Sequence, residues 1–338
     1  MAALRFLTDE PPNAGVALSL LDGTPIDQET MYLRNSFPVP RPGSVSGRIT
    51  VTLPNQEPRE LTPERLAKMP RTALEMVLEC AGNGRSLMSP VPEGLQWDLG
   101  GVSPIVVSGV RLIDALGAIP SDVVDLVFTG ADSGEVWPEG HVNYQFSIDA
   151  ELARSPIPLL VTHIGDEPLG PSHGGPVRLM VPGHYAMRSV KWLTTIDAVT
   201  EPFNGHFVNR YQYLDDTEVE DGSPVGPIQV RSVIAKPEEG GRIPGGAVEV
   251  AGSAWSGLGP ITLVEVSIDG AWFEAELTPG AGPMSATAWR HQTRLGEGRH
   301  TIKARATDST GAAQPLQPRW NKRGYANNLI HEVTINVY

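Results

Sequence analysis

Glycine and proline interrupt this chain so often that long helices are disfavoured over most of it. The 338 residues include 36 glycines and 31 prolines, spread without a fixed period, and only 6% are aromatic. Both residue types end helices, so this distribution favours many short strands joined by turns. A chain of this length with 40% hydrophobic residues can bury a large core, and its length favours two domains over one.

A change of pattern predicts where the two domains meet. Residues 215–226 form an acidic stretch with glycine and proline, which predicts a boundary between domains at residues 1–220 and 221–338. The first domain mixes short helical and strand patterns with long loops, so its predicted class is α+β, with an irregular start over residues 1–30. The second has almost no helical pattern and repeated period-two alternation, which predicts an immunoglobulin-like β-sandwich. The alternation occurs at residues 248–251, 262–268, 301–306 and 333–337.

Local signals in the first domain predict individual elements. Thr62 followed by Pro63 predicts the start of a short helix, because threonine is a frequent N-cap and proline suits the first helical position. Apolar runs predict buried strands at residues 73–79 and 123–128. The second of these strands is expected to end in residues 129–132.

Net charge limits the partners of the chain. Lys and Arg number 26 against 39 Asp and Glu, which gives −13 and disfavours nucleic acid and anionic membranes. No run approaches the roughly 18 apolar residues of a membrane span. The first residues lack a signal pattern, so the chain as given is expected to be cytoplasmic, or periplasmic if a signal peptide has been removed.

Cys80 is the sole cysteine, so it cannot form an internal disulfide or a multi-thiolate metal site. It remains a nucleophile, a lone ligand to a metal carried by another group, or a small buried hydrophobe. The following residues weaken the last interpretation. Ala81-Gly82-Asn83-Gly84-Arg85 is a turn sequence in which both glycines can take positive φ, and it brings a guanidinium close behind the thiol.

Common catalytic motifs are missing from the sequence. It contains no HExxH and no Walker loop, which disfavours a zinc metalloprotease-type hydrolase or a P-loop enzyme. Short polar segments occur instead in a fixed order. They are Arg34-Asn35 with Pro38-Val39-Pro40, Cys80-Ala81-Gly82-Asn83 with Arg85-Ser86, Gly94-Leu95 with Trp97, Gly109-Val110 with Leu112, Asp132, His173-Gly174 with Pro176-Val177-Arg178, Ser189-Val190-Lys191-Trp192, and Trp320-Asn321 with Gly324 and Asn327-Asn328.

In these segments the chain resembles the sulfite oxidase family of molybdenum enzymes, which includes the catalytic domain of plant nitrate reductase. The resemblance runs from about residue 30 to the C-terminus. It implies a molybdopterin-binding catalytic domain at residues 1–220 and an immunoglobulin-like dimerisation domain at residues 221–338, and hence a homodimer. In this family one cysteine thiolate binds molybdenum beside the two dithiolene sulfurs of a molybdopterin, a role that falls to Cys80.

The resemblance also assigns the remaining site residues. Arg34, Arg85 and Trp97 border the open side of the metal, where a small oxyanion binds. A tyrosine completes this pocket, and Tyr211 and Tyr213 both qualify, with Tyr213 preferred. The residues expected to hold the cofactor are Asn35, Cys80, Asp132, Ser133, His173, Arg178, Ser189, Val190 and Lys191.

The expected reaction is oxidation of sulfite to sulfate by oxygen-atom transfer at a cysteine-bound oxo-molybdenum centre. No Cys-x-x-Cys-His haem motif occurs, so electrons are expected to leave to a separate acceptor, such as a cytochrome. A reductase of nitrate or a sulfoxide on the same scaffold is the alternative, and a noncatalytic immunoglobulin-like interaction protein is the alternative outside the class. The chain departs from the family pattern at Ser36, Gly84, Val107 and Glu332, which predicts weaker or different anion selection.

Overall fold

The computed structural model describes residues 4–216, 218–317 and 319–338. Within them the chain is mostly β-sheet, and its α-helices contain only four or five residues each. The helical content of the first domain is therefore lower than predicted. One cause is visible after residue 111, where a strand ends and a helix begins at Leu112. Gly117, with φ of 73°, ends this helix after Leu116.

The first part of the chain, up to residue 210, forms two five-stranded sheets and one hairpin. Its strands are β1 (Leu4–Asp9), β2 (Pro12–Val16), β3 (Ile49–Thr52), β4 (Arg59–Leu61), β5 (Thr72–Glu79), β6 (Val102–Arg111), β7 (Asp125–Val136), β8 (Gly140–Asp149), β9 (Leu159–Ile164), β10 (Glu167–Pro168), β11 (Arg178–Met180) and β12 (Leu193–Val199). Its helices are α1 (Pro63–Leu66), α2 (Leu112–Leu116), α3 (Ala150–Arg154) and α4 (His206–Arg210). One sheet has the order β10-β9-β6-β5 with β11 beside β9, and the other has the order β4-β3-β12-β7-β8.

The second part, residues 231–338, forms two further sheets with the orders β13-β15-β19-β18 and β14-β21-β20-β16-β17. Apart from the short parallel pair of β14 and β21, their strands are antiparallel. The strands are β13 (Arg231–Lys236), β14 (Arg242–Ile243), β15 (Gly246–Trp255), β16 (Ile261–Ile268), β17 (Ala271–Glu274), β18 (Glu276–Thr278), β19 (Thr287–Leu295), β20 (Gly298–Asp308) and β21 (His331–Val337). All four alternating segments of the sequence lie in these strands.

Two predictions about local structure are confirmed. The helix predicted at Thr62 forms as α1, with the Thr62 hydroxyl accepting a hydrogen bond from the Arg65 amide. The apolar run at residues 73–79 forms β5, which pairs along its whole length with β6. Strand β5 therefore ends directly before Cys80, as expected.

Two other predictions are wrong. The start of the chain is less irregular than predicted, because β1 and β2 pair as a hairpin across the Glu10-Pro11 turn. The second apolar strand does not end at residues 129–132, because β7 continues to Val136 with a bulge between Thr129 and Ser133. The Ala131 amide donates to the Trp192 carbonyl, so this polar stretch stays paired within its sheet.

Two hydrophobic cores stabilise the molecule. The larger one fills the first part and also includes Val233 and Trp255 of the second, so the two parts pack against each other. Strands β6 and β9 approach very closely at Gly109, where a Cβ would lie 2.1 Å from the Leu160 carbonyl oxygen.

In the part of the chain that the structure describes, no helix has the length and apolar character needed to cross a membrane.

Candidate active site

Two adjoining cavities meet at Cys80. We call them the inner and the outer cavity, and both are lined by Arg34, Cys80 and Tyr211. The other residues around the inner cavity are Met31, Tyr32, Ser36, Leu78, Ala81, Asp132, Tyr144, Ser172, His173, Arg178, Ala186, Met187, Ser189 and Lys191. Those around the outer cavity are Gly82, Arg85, Glu93, Gly94, Leu95, Trp97, Arg210, Arg323 and Tyr325.

The turn after β5 places the thiol between the cavities. Cys80 is 7% exposed, and its amide donates to the Gly101 carbonyl. The chain then reverses, with the Asn83 amide donating to the Cys80 carbonyl, and Gly84 adopts a left-handed conformation with φ of 80°. Gly82 is required for space rather than for φ, because a Cβ there would lie 2.6 Å from the Arg85 side chain.

The inner cavity carries an excess of positive charge. Its lining includes three basic side chains, Arg34, Arg178 and Lys191, against the single carboxylate of Asp132. Burial and the nearby Arg178 lower the pKa of Lys191 well below its ordinary value, while Asp132 opposes the effect. Burial likewise raises the pKa of Asp132, against the influence of Lys191. A bound anion would relieve the repulsion among these cations, so the cavity is suited to an anionic ligand.

His173 and Arg178 are held rigidly at the wall of the inner cavity. Arg178 donates from its two terminal nitrogens to the carbonyls of His173 and Ser189, each at 2.8 Å. Burial lowers the pKa of His173 to about 3, with Lys191 and Arg178 adding to the effect, so its ring is neutral at pH 7. Burial lowers the pKa of Arg178 to about 10, which still leaves it charged.

Orphaned polar atoms test whether a cofactor fits here. Within the described residues, Asp132 Oδ1 and Arg178 Nε are buried without a hydrogen-bond partner. Buried polar atoms are almost always paired, so both are suited to a polar ligand in the inner cavity. The cavity has a free volume of about 60 Å³, and the long side chains of Lys191 and Arg34 are part of its lining.

Cys80 has no further protein ligands beside it in the described part of the chain. Among the residues that the structure describes, no three His, Cys, Asp or Glu side chains cluster as metal ligands. A metal bound by Cys80 therefore needs further ligands from a group that enters the inner cavity. The lining of the inner cavity fits an anionic group that brings its own metal ligands. It offers the Cys80 thiol, the three basic side chains and the two unpaired polar atoms.

Several expected cofactor residues are hydrogen-bonded within the protein, and two of them, Asn35 and Val190, do not line the inner cavity. The Asn35 Oδ1 atom accepts a hydrogen bond from Lys191 Nζ, so Asn35 positions the lysine. The Val190 carbonyl accepts from the Leu179 amide, and the Ser189 hydroxyl accepts from the Val181 amide. Ser133 lies outside both cavities.

Ser133 is directed away because neighbouring residues of a strand alternate between faces. Asp132 reaches the inner cavity, whereas the Ser133 hydroxyl lies 3.1 Å from Nε2 of the exposed His141. The structure thus separates two adjacent residues that the sequence placed together as cofactor ligands.

The outer cavity is lined by guanidinium groups. Arg34, Arg85, Arg210 and Arg323 face a single carboxylate, that of Glu93. Arg85 is 7% exposed and is fixed by donating to the carbonyls of Leu95 and Arg323. The cavity has a free volume of about 310 Å³, which suits a small anion with its water.

The structure distinguishes the two candidate tyrosines. Tyr211, directly after α4, lines both cavities and its ring lies 5.2 Å from that of Tyr325. Tyr213 lines neither, because its ring lies against the Arg319 guanidinium at 4.7 Å. The preference for Tyr213 is therefore corrected in favour of Tyr211.

Sequence reasoning missed several lining residues. Arg210 precedes Tyr211, and Arg323 lies between Asn321 and Gly324, so both were inside segments already singled out. Tyr144 had no signal, because it lies in β8 and enters the inner cavity only through the pairing of β8 with β7. Its hydroxyl donates to the Met187 carbonyl at 2.8 Å.

Comparison with known proteins finds two domain families that match successive parts of the chain. Residues 37–207 match the oxidoreductase molybdopterin binding domain, and residues 224–338 match the Mo-co oxidoreductase dimerisation domain. Mitochondrial sulfite oxidase of Mus musculus is 33% identical over 99% of this chain, which spans 66% of that protein. Sulfite oxidase of Arabidopsis thaliana is 30% identical over 97% of this chain and 91% of its own length.

A solved structure has the same fold. The sulfane dehydrogenase SoxCD from Paracoccus pantotrophus superposes with a TM-score of 0.83 over 98% of this chain and 88% of that chain, at 24% identity. The domain matches and the identity to sulfite oxidases decide against a noncatalytic interaction protein. The chain therefore belongs to the sulfite oxidase family of molybdopterin-dependent oxidoreductases.

Proposed function

We propose that this protein oxidises sulfite to sulfate with a molybdenum–molybdopterin cofactor bound through Cys80, and passes the electrons to a separate acceptor. The observation that carries the proposal is the position of Cys80 between a cationic inner cavity and an arginine-lined outer cavity. The sulfite oxidase relatives support the choice of substrate.

The inner cavity would hold the cofactor. Its Arg178 and Lys191 side chains match an anionic pterin phosphate, and the unpaired Asp132 Oδ1 and Arg178 Nε would pair with polar atoms of the pterin. His173, which is neutral, can accept or donate one hydrogen bond without adding charge. When bound, the cofactor supplies a metal that transfers an oxygen atom and takes up two electrons.

The outer cavity would bind and orient the substrate. Its guanidinium groups attract a small dianion into a protein of net charge −13, because more distant charges are screened beyond about 8 Å. Arg34 borders both cavities, so it can hold the substrate oxygens at the junction of the two cavities, close to Cys80. The Tyr211 hydroxyl can donate a further hydrogen bond at the same junction.

The reaction requires water and an electron acceptor. Sulfite gains one oxygen atom that derives from water, and two protons and two electrons are released per sulfate formed. We infer that a separate redox protein, such as a cytochrome, takes these electrons. Residues 224–338, which match the dimerisation domain, support a homodimer, and their two sheets support an immunoglobulin-like sandwich.

Steady-state assays in both directions test the proposal. Cofactor-loaded protein is assayed with sulfite and ferricyanide, and separately with nitrate or a sulfoxide and a chemically reduced dye. We expect saturable reduction of ferricyanide that depends on sulfite and weakens at high ionic strength. If sulfite gives no turnover while nitrate or a sulfoxide does, the protein is a reductase and the proposal fails.

A further inference from the structure

The turn that carries Cys80 is held from behind by the second part of the chain. The Ala326 amide donates to the Ala81 carbonyl at 2.8 Å, and the Asn327 side chain donates to the Gly84 carbonyl at 2.6 Å. Main-chain atoms at both ends of the turn are thus bonded by one segment that lies far away in sequence. This turn is therefore not stabilised by its own domain alone.

A buried ion pair makes a second connection directly before the thiol. Glu79 and Arg231, the first residue of β13, are 1% and 2% exposed at their side chains, with Oε1 and Nε 3.3 Å apart. The other carboxylate oxygen accepts from the Trp255 indole at 2.8 Å. The Asn83 side chain donates to Glu79 at 2.9 Å, and Arg231 donates to the Asn83 carbonyl at 3.3 Å.

This network links three positions of the turn to one guanidinium. Arg231 contacts Glu79 directly before Cys80 and Asn83 after it, and its NH1 lies 3.3 Å from the place of a Cβ on Gly84. A buried charge that loses its partner is strongly unfavourable, so the pair admits essentially one arrangement of the turn. The direction of the Cys80 side chain follows from that arrangement.

We propose that Glu79 and Arg231 are positioning residues that fix the direction of the Cys80 sulfur, so that the second part of the chain completes the metal-binding turn. The inference deepens the proposed function, since it rests on Cys80 as the metal ligand. It gives residues 231–338, which also supply Arg323 and Tyr325 to the outer cavity, a second role at the site.

The sole cysteine of the chain makes the first test specific. In cofactor-free protein, the rate of alkylation by iodoacetamide reports on Cys80 alone. We expect Arg231→Met to raise this rate at least tenfold, and Arg231→Lys, which keeps the charge, to restore much of the protection. Arg305→Met is the matched control, because it breaks the Arg305–Glu265 pair in the same part of the chain, where both side chains are 26% exposed. Its rate should stay within twofold of the wild type.

Cofactor-loaded protein supplies a second readout. The electron paramagnetic resonance spectrum of the half-reduced metal should shift in Arg231→Met and remain unchanged in Arg305→Met. If Arg231→Met does not fold, Trp255→Phe removes the indole hydrogen bond to Glu79 together with part of a buried ring, and a threefold faster alkylation is expected. Folded variants that alkylate at the wild-type rate overturn the inference. A native protein that contains no molybdenum after purification from cells able to supply it would refute the proposed function. The alkylation rates would still decide whether Glu79 and Arg231 position Cys80.

Discussion

The hydroxyl of Tyr211 gives the sharpest prediction about catalysis. Tyr211 is 8% exposed, lines both cavities and packs its ring against Tyr325. Phenylalanine keeps this ring packing and removes only the hydroxyl. A hydrogen bond to a charged group contributes about 1.5–3 kcal/mol, so Tyr211→Phe should lower kcat/KM for sulfite by about 10- to 150-fold.

Tyr213→Phe is the matched control for this experiment. Its ring lies against Arg319 and outside both cavities, so the substitution should change kcat/KM by less than about twofold. Both variants are measured with sulfite and ferricyanide at equal molybdenum content, so that a loss of cofactor is not mistaken for a loss of catalysis. A larger effect for Tyr213→Phe than for Tyr211→Phe would refute the assignment.

Three further predictions concern the cofactor and stability. Lys191→Met should weaken cofactor binding by about 10- to 100-fold, measured by reconstitution of apoprotein, while the free energy of unfolding of the apoprotein stays unchanged. Full loading of the variant at limiting cofactor would contradict this prediction. Burial lowers the pKa of His331 to about 4, and its ring accepts from the Ile234 amide. Because the unfolded chain binds this proton more tightly, the free energy of unfolding falls as the pH drops from 6.5 to 4. In urea unfolding, the free energy of unfolding of His331→Asn should fall by up to about 3 kcal/mol less than that of the wild type over this range. Equal pH slopes for the two proteins would contradict this. Gly109→Ala, with its Cβ placed 2.1 Å from the Leu160 carbonyl, should destabilise by about 3 kcal/mol or more, and an unchanged thermal midpoint would exclude that close approach.

Local sequence signals predicted the elements that depend on local chemistry. The N-cap at Thr62 forms α1, and the apolar run ending at Glu79 forms the strand that delivers Cys80 to its turn. These succeed because the signal and the structure involve the same few residues. The sequence places the end of this strand at residues 129–132, where the structure has a bulge, because the apolar run stops at the same point in both cases.

Contacts between distant segments could not be predicted in this way. The choice between Tyr211 and Tyr213 depends on where α4 ends and on the position of Arg319, which no local pattern encodes. The contact of Arg231 with Glu79 depends on the packing of two parts of the molecule. A resemblance to a family identifies which residues match, but it does not show which other side chains hold each of these residues in place.

The bond between Cys80 and molybdenum is tested most directly by X-ray absorption spectroscopy. The native protein and Cys80→Ser are purified from cells that make molybdopterin, and metal content and sulfur coordination are compared. We predict stoichiometric molybdenum in the native protein and one sulfur ligand fewer in the variant. Native protein without molybdenum, or equal sulfur coordination in both proteins, would contradict a role for Cys80 as the metal ligand.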